Sequence, residues 1–182
     1  MKSALSRILV INLALTVNAG LAWGKPAADE LYLTVTIVTG EHSRDSNSTT
    51  TTLTVDGDTL AYEESHHGAH SRRAPVKKEY RLSRKDRDEL LGLLKEKNLL
   101  ITRTVTATVT PLSETTNLVH YFELKIRSRL DGKEHSISID GPRSAEKVKK
   151  EAVYQHSVYL LAHLYGIINR TDPDITLPQL ID

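Results

Sequence analysis

The stretch LVHYFELKIRSRLDGKEHSISIDG, residues 118–141, decides the fold because a turn signal separates two alternating segments. Asp131-Gly132 is typical of a two-residue hairpin turn, since both residues tolerate positive φ. The resulting register places apolar residues opposite each other on one face and opposite charges together on the other. The expected pairs are Ile126 with Ile137, Leu124 with Ile139, and Arg129 with Glu134. The hairpin therefore has one buried and one solvated face.

Other alternating segments predict further strands of the same kind. Residues 31–39 place leucine, valine and isoleucine on one side, and residues 76–82 and 99–110 read as two more strands. A second Asp-Gly pair, Asp56-Gly57, predicts another hairpin. With a two-residue loop its cross-strand pairs are Leu53 with Leu60 and Thr51 with Tyr62.

Two helices interrupt the strand pattern. Ser83 and Asp86 have the spacing of a capping box, and Asn98 can end that helix in the left-handed conformation. A longer helix is expected from Pro142 and Ser144 to about Arg170. Its apolar face has helical spacing and consists of Tyr154, Val158, Leu161, Tyr165 and Ile168, widened by Val153, Leu160, Leu164 and Ile167.

These elements predict an α+β domain, an antiparallel sheet of about six strands with two helices packed on one face. We assign residues 25–170 to this single domain. Residues 171–182 contain two prolines and are expected to form an extended tail whose removal costs little stability.

Residues 1–22 are typical of a secretory signal peptide. Lys2 and Arg7 precede an apolar run, and small residues follow, so cleavage after Ala22 is expected, with Ala19 and Gly24 as the competing positions. The mature protein would be periplasmic or extracellular, without an integral membrane segment. It contains no cysteine. Cleavage removes Lys2 and Arg7 from the 24 basic residues of the full chain, so 22 basic and 23 acidic residues remain and the formal charge is −1. Recognition by charge would therefore depend on local clusters.

Residues 65–78, SHHGAHSRRAPVKK, read as a metal site, a patch for polyanions, or an exposed loop. We expect a mobile, exposed loop in which His66, His67 and His70 bind a transition metal weakly, with no cofactor required. Because of Gly68 and the lack of a fourth ligand, the sequence does not define a coordination geometry for the metal. A basic patch is also predicted, comprising Arg72, Arg73, Lys77, Lys78, Arg81, Arg84 and Lys85.

The element order, with the helix LSRKDRDELLGLLKEKNLL followed by YFELKIRSRLDGKEHSISIDG and a final helix, resembles the small emfourin-type inhibitors of metallopeptidases. The resemblance covers about residues 31–168. The chain departs from the family pattern in the loop GEHSRDSNS and in its extra length at residues 65–78 and 111–117. It implies inhibition of a secreted metallopeptidase, and it transfers no inhibitory residue to this chain.

No nucleophile elbow, phosphate-binding glycine loop or H-E-x-x-H pair is found in the sequence. We therefore interpret the protein as a non-catalytic exported binding protein that acts through the exposed sheet face and the basic loop. A metallopeptidase inhibitor is the alternative, and a hydrolase with an unrecognised site is the third reading. The expected partners are an exported protein or an anionic surface polymer. Nucleic acid is not expected, because few aromatic residues accompany the basic ones.

Overall fold

The computed structural model describes residues 31–42, 47–68, 73–107, 119–142, 145–178 and 180. Seven strands and three helices occur in this part of the chain. The strands are β1 (Tyr32–His42), β2 (Ser48–Asp56), β3 (Thr59–His67), β4 (Val76–Arg81), β5 (Arg103–Thr106), β6 (Val119–Leu130) and β7 (Lys133–Pro142). The helices are α1 (Arg84–Glu96), α2 (Glu146–Lys149) and α3 (Ala152–Ile168). The predicted signal peptide and Ala22 lie outside the described residues.

All seven strands belong to one sheet, in the order β4-β3-β2-β1-β6-β7-β5. Every neighbouring pair is antiparallel except β5 and β7, which run parallel. The α+β class with a mostly antiparallel sheet is confirmed. The expected count of about six strands and two helices is close, and the sheet gains its parallel edge from the short β5.

One face of this sheet carries the hydrophobic core. In β1, Leu33, Val35 and Ile37 are buried while the residues between them are only half-buried. The same alternation runs through the neighbouring strands, and α1 and α3 contribute Leu90 and Leu161 to the same core. The helices therefore cover the apolar face, as the sequence predicts.

The two hairpins differ in how well the sequence predicts them. Asp131 and Gly132 both have positive φ, 51° and 74°, which gives a type I′ turn and confirms all three predicted pairs of β6 and β7.

The predicted register of the first hairpin is wrong, because the turn residues are Gly57 and Asp58. The observed pairs are Val55 with Leu60 and Leu53 with Tyr62. Gly57, with φ of 59°, takes the first central position, which suits a type II′ turn.

The helix predicted from residue 144 to 170 is divided at Lys150 and Glu151. Val148 and Val153 are both buried, although residues five apart face about 140° away from each other on a continuous helix. The extended backbone of Glu151 lets both valines reach the core. In α3, every residue of the predicted apolar face is buried except the half-buried Val158.

The start of α1 confirms the capping box. The Ser83 hydroxyl accepts a hydrogen bond from the Asp86 backbone amide at 3.1 Å, and the Asp86 carboxylate accepts one from the Ser83 amide at 3.0 Å. Asn98 lies just after this helix with φ of 52°, also as predicted. The Arg170 guanidinium donates to the other Asp86 oxygen at 2.8 Å, which links the start of α1 to the end of α3.

The segment that follows α3 packs against the domain. The Asp172 carboxylate accepts hydrogen bonds from the Lys78 ammonium at 2.8 Å and the Tyr80 hydroxyl at 2.7 Å. Ile175 is partly buried against the core, and Leu180 is buried within it. The described residues of this segment have no regular secondary structure, and from their contacts we expect a larger loss of stability on removal of the segment than the sequence predicts.

No helix in the described part of the chain has both the length and the apolar character needed to span a membrane.

Candidate functional site: the open face of the sheet

The sheet face opposite the helices, called the open face below, is organised in rows that cross the strands. One row crosses β2, β1 and β6 at Thr54, Thr34 and Arg127, and the adjacent row at Thr52, Thr36 and Lys125. The four threonines are half-buried. Within the described ranges, the core-forming residues of all three helices belong to the other face.

A hollow of about 490 Å³ lies at one end of the open face, beside the β6–β7 turn. Its lining residues come from three strands and the segment before β5: Tyr32, Thr102, Arg127, Ser128, Arg129, Glu134, His135 and Ser136. Strand alternation assigns Tyr32, Arg127, Arg129, Glu134 and Ser136 to the open face. Buried Ser128 has its side chain on the core side, as does its cross-strand partner His135. The hollow thus presents an aromatic ring, two guanidiniums, a carboxylate and a hydroxyl.

The charged groups in the hollow are arranged differently from what their register suggests. Arg129 lies opposite Glu134, but its guanidinium carbon is 5.5 Å from the centre of the Tyr32 ring, a cation–π contact. Among the described residues, no ion pair within 4 Å involves Arg127, Arg129 or Glu134. Arg127 and Arg129 are both exposed. Their N–H donors are therefore accessible to a ligand.

The predicted histidine site is divided by the strand geometry. His66 and His67 belong to β3, which extends to His67, so the prediction of a loop from residue 65 is wrong at this end. At the other end, β4 begins at Val76. Adjacent strand residues point to opposite faces, so His66 lies on the core side and His67 on the open face. His70 lies outside the described residues, and no group of three metal-ligating side chains is found among those described. Metal binding stays a prediction.

His66 is part of a hydrogen-bond network at the end of the core. Its Nδ1 is 3.1 Å from the Thr49 hydroxyl, and its Nε2 is 3.1 Å from a Glu64 oxygen. The other Glu64 oxygen accepts a hydrogen bond of 2.6 Å from the Tyr62 hydroxyl. Burial, followed by this bond to Glu64, raises the pKa of Tyr62 far above its ordinary value, so Tyr62 stays a neutral donor. The order hydroxyl, imidazole, carboxylate is one that can move a proton.

The predicted basic patch is largely paired with acidic residues that are distant in sequence or lie one helical turn away. Arg72 lies outside the described residues, and Arg73 is exposed. The five remaining pairs are Lys77 with Glu63, Lys78 with Asp172, Arg81 with Asp58, Arg84 with Asp88, and Lys85 with Glu89. Most of these pairs are exposed and individually weak. They balance much of the local positive charge, and polyanion binding by this run stays a prediction.

Sequence reasoning identified the open face but missed the hollow. Tyr32 and Thr102 are distant in sequence from residues 127–136, and only the β1–β6 and β5–β7 pairings bring them together. The alternation of Arg127 and Arg129 on a solvated strand face was the available signal.

Comparisons with protein-family models and with curated protein sequences find no match to this chain. The emfourin-type resemblance stays a prediction.

Proposed function

We propose that this protein is an exported, non-catalytic binding protein whose partner docks on the open face of the sheet. The observation that carries the proposal is the hollow of about 490 Å³, in which Tyr32 and two exposed guanidiniums, neither ion-paired within the described residues, lie beside hydroxyl side chains. A concave surface with an aromatic ring and a few convergent polar groups is typical of binding sites.

The surroundings of the hollow support a docking role. The threonine rows of β1 and β2 extend the surface away from it and carry both methyl and hydroxyl groups. Such a surface can contact a partner through apolar and hydrogen-bonding groups together. Export is proposed from the apolar N-terminal segment that precedes the domain.

Photo-crosslinking in the exporting cell tests this function. A photo-reactive amino acid at Thr52 samples the open face, and the same residue at the exposed Asp88 of α1 is the matched control. A crosslinked adduct is expected from Thr52, suppressed by excess unlabelled protein, and absent from Asp88. Equal adducts from both positions, or none from Thr52, would contradict the proposal. If the adduct contains a secreted metallopeptidase and binding lowers its turnover, the binding protein is an inhibitor, as the resemblance implies.

The network of Thr49, His66 and Glu64 favours a second candidate function, an acyl hydrolase. With the imidazole proton on Nε2, His66 donates to Glu64 and accepts from the Thr49 hydroxyl, so it could take the proton as Thr49 attacks a carbonyl. Hydrolysis of p-nitrophenyl acetate should then disappear in Thr49→Val. An equal rate in Thr49→Val and the unmodified protein would leave the network a purely structural role.

A further inference from the structure

Arg127 and Arg129 lie two residues apart on the same face of β6, so their Cα atoms are about 7 Å apart. A guanidinium forms paired, charge-assisted hydrogen bonds with a carboxylate. From these two residues and the hydroxyl rows beside them, we infer that the open face binds an acidic polysaccharide, with its carboxylates at Arg127 and Arg129. This inference rests on the proposed binding function and adds the class of ligand.

The two arginines differ from the other cations on the open face. The Lys125 ammonium is 2.5 Å from a Glu123 oxygen, and the Lys77 ammonium is 2.7 Å from a Glu63 oxygen. Arg127 has no such partner in the described part of the chain, and the Arg129 guanidinium lies over the Tyr32 ring. A ring contact leaves the guanidinium edge free to donate. The hollow therefore holds two guanidiniums against the one carboxylate of Glu134, and this excess of positive charge complements an anion.

The rest of the face favours a polysaccharide over an acidic peptide. Next to the arginines, the rows carry uncharged hydroxyls at Thr34, Thr54 and Ser136. A polymer whose side chains carry only carboxylates can accept hydrogen bonds from these hydroxyls, but its side chains donate none in return. A chain that carries both carboxylates and hydroxyls can pair with both kinds of group. The volume of about 490 Å³ lies within the roughly 300–1,000 Å³ of small-ligand sites, so the hollow accommodates a short part of such a chain.

Titration calorimetry with polygalacturonate, a polymer of uronic acid, tests the inference. The variant Arg127→Ala/Arg129→Ala should bind at least tenfold more weakly than the unmodified protein. The matched control is Arg84→Ala/Arg87→Ala, which removes two exposed arginines from α1 and should change the affinity less than twofold. Arg127→Lys/Arg129→Lys keeps the charge but loses the paired donors, so its affinity should fall between the two. Circular dichroism checks that each variant is folded.

Neutral dextran and poly-L-glutamate distinguish the sources of binding. Dextran should not bind, and poly-L-glutamate should bind more weakly than polygalacturonate. The inference is overturned if polygalacturonate does not bind, if poly-L-glutamate binds as tightly, or if the α1 control loses as much affinity. In each of these cases an adduct from Thr52 would still support docking on the open face, whereas loss of that adduct would reject the proposed function itself.

Discussion

Asp86 offers a prediction whose size follows from its contacts. Its carboxylate is almost fully buried and accepts hydrogen bonds from the Ser83 hydroxyl at 2.7 Å, the Ser83 amide at 3.0 Å, and Arg170 at 2.8 Å. The Ser83 hydroxyl is the largest influence on this carboxyl group, and together with Arg170 it outweighs burial and lowers the pKa of Asp86 to about 2. Asp86→Asn retains the shape and removes the charge.

The pKa shift sets both the magnitude and the pH dependence of the effect. A fall from the ordinary value of 3.8 to about 2 corresponds to roughly 2 kcal/mol of stability. Arg170 is more than half exposed, so solvent screens its contribution to this stabilisation. We therefore expect Asp86→Asn to lower the free energy of unfolding by about 1–2 kcal/mol at pH 7. Because the folded pKa is the lower one, this stabilisation is complete above about pH 4 and is lost as the pH falls through about 2.

Urea denaturation of the two proteins between pH 7 and pH 2 measures this difference. The difference in the free energy of unfolding should shrink as the pH falls below about 4. Asp88→Asn on the same helix is the control, because its pair with Arg84 is exposed and long at 3.8 Å, and it should change stability by less than about 0.5 kcal/mol. A difference for Asp86→Asn that is constant with pH would refute the assigned role of the carboxylate charge.

Three further changes test the packing. Leu161→Ala removes a fully buried side chain of α3 and should cost about 2–5 kcal/mol in chemical denaturation, whereas Tyr159→Ala, at an exposed position, should cost less than about 0.5 kcal/mol. Deletion of the chain after Arg170 removes the buried Leu180 and should lower the free energy of unfolding by about 2 kcal/mol or more; an unchanged denaturation midpoint would show that this segment does not pack as described. Gly132→Ala places a side chain at φ of 74° and should cost about 1–2 kcal/mol, and a thermal midpoint equal to that of the unmodified protein would argue against the type I′ turn.

The sequence predicted the features that depend on local chemistry. The register of β6 and β7 followed from a turn in which both residues adopt positive φ, and the start of α1 followed from the spacing of its capping residues. The turn of the first hairpin lies one residue later than predicted, because Gly57 also suits the first central position of a different turn type. The dipeptide Asp56-Gly57 is therefore compatible with two strand registers. The break before α3 lets both Val148 and Val153 reach the core. The position of the core relative to these valines is a tertiary property, and local sequence periodicity does not predict it.

The candidate site was harder to predict than the fold. Three histidines within five residues suggested a common site, but continuation of β3 to His67 sends His66 and His67 to opposite faces. Prediction of the hollow requires knowledge of which distant segments pair. Only the strand order of the folded protein supplies that knowledge. The binding surface on the sheet could be proposed from alternation alone, whereas its position at Tyr32 and Arg129 could not.

Nuclear magnetic resonance of threonine methyl groups, recorded during titration with polygalacturonate, tests the open-face site most directly. The strands carry their own control, because Thr52 and Thr54 of β2 lie on the open face while Thr51 is buried on the core side. Binding as proposed should shift the methyl signals of Thr34, Thr54 and Thr102 and leave that of Thr51 unchanged. Unchanged open-face signals, or shifts centred on the Thr51 side of the sheet, would contradict the assignment of the binding surface.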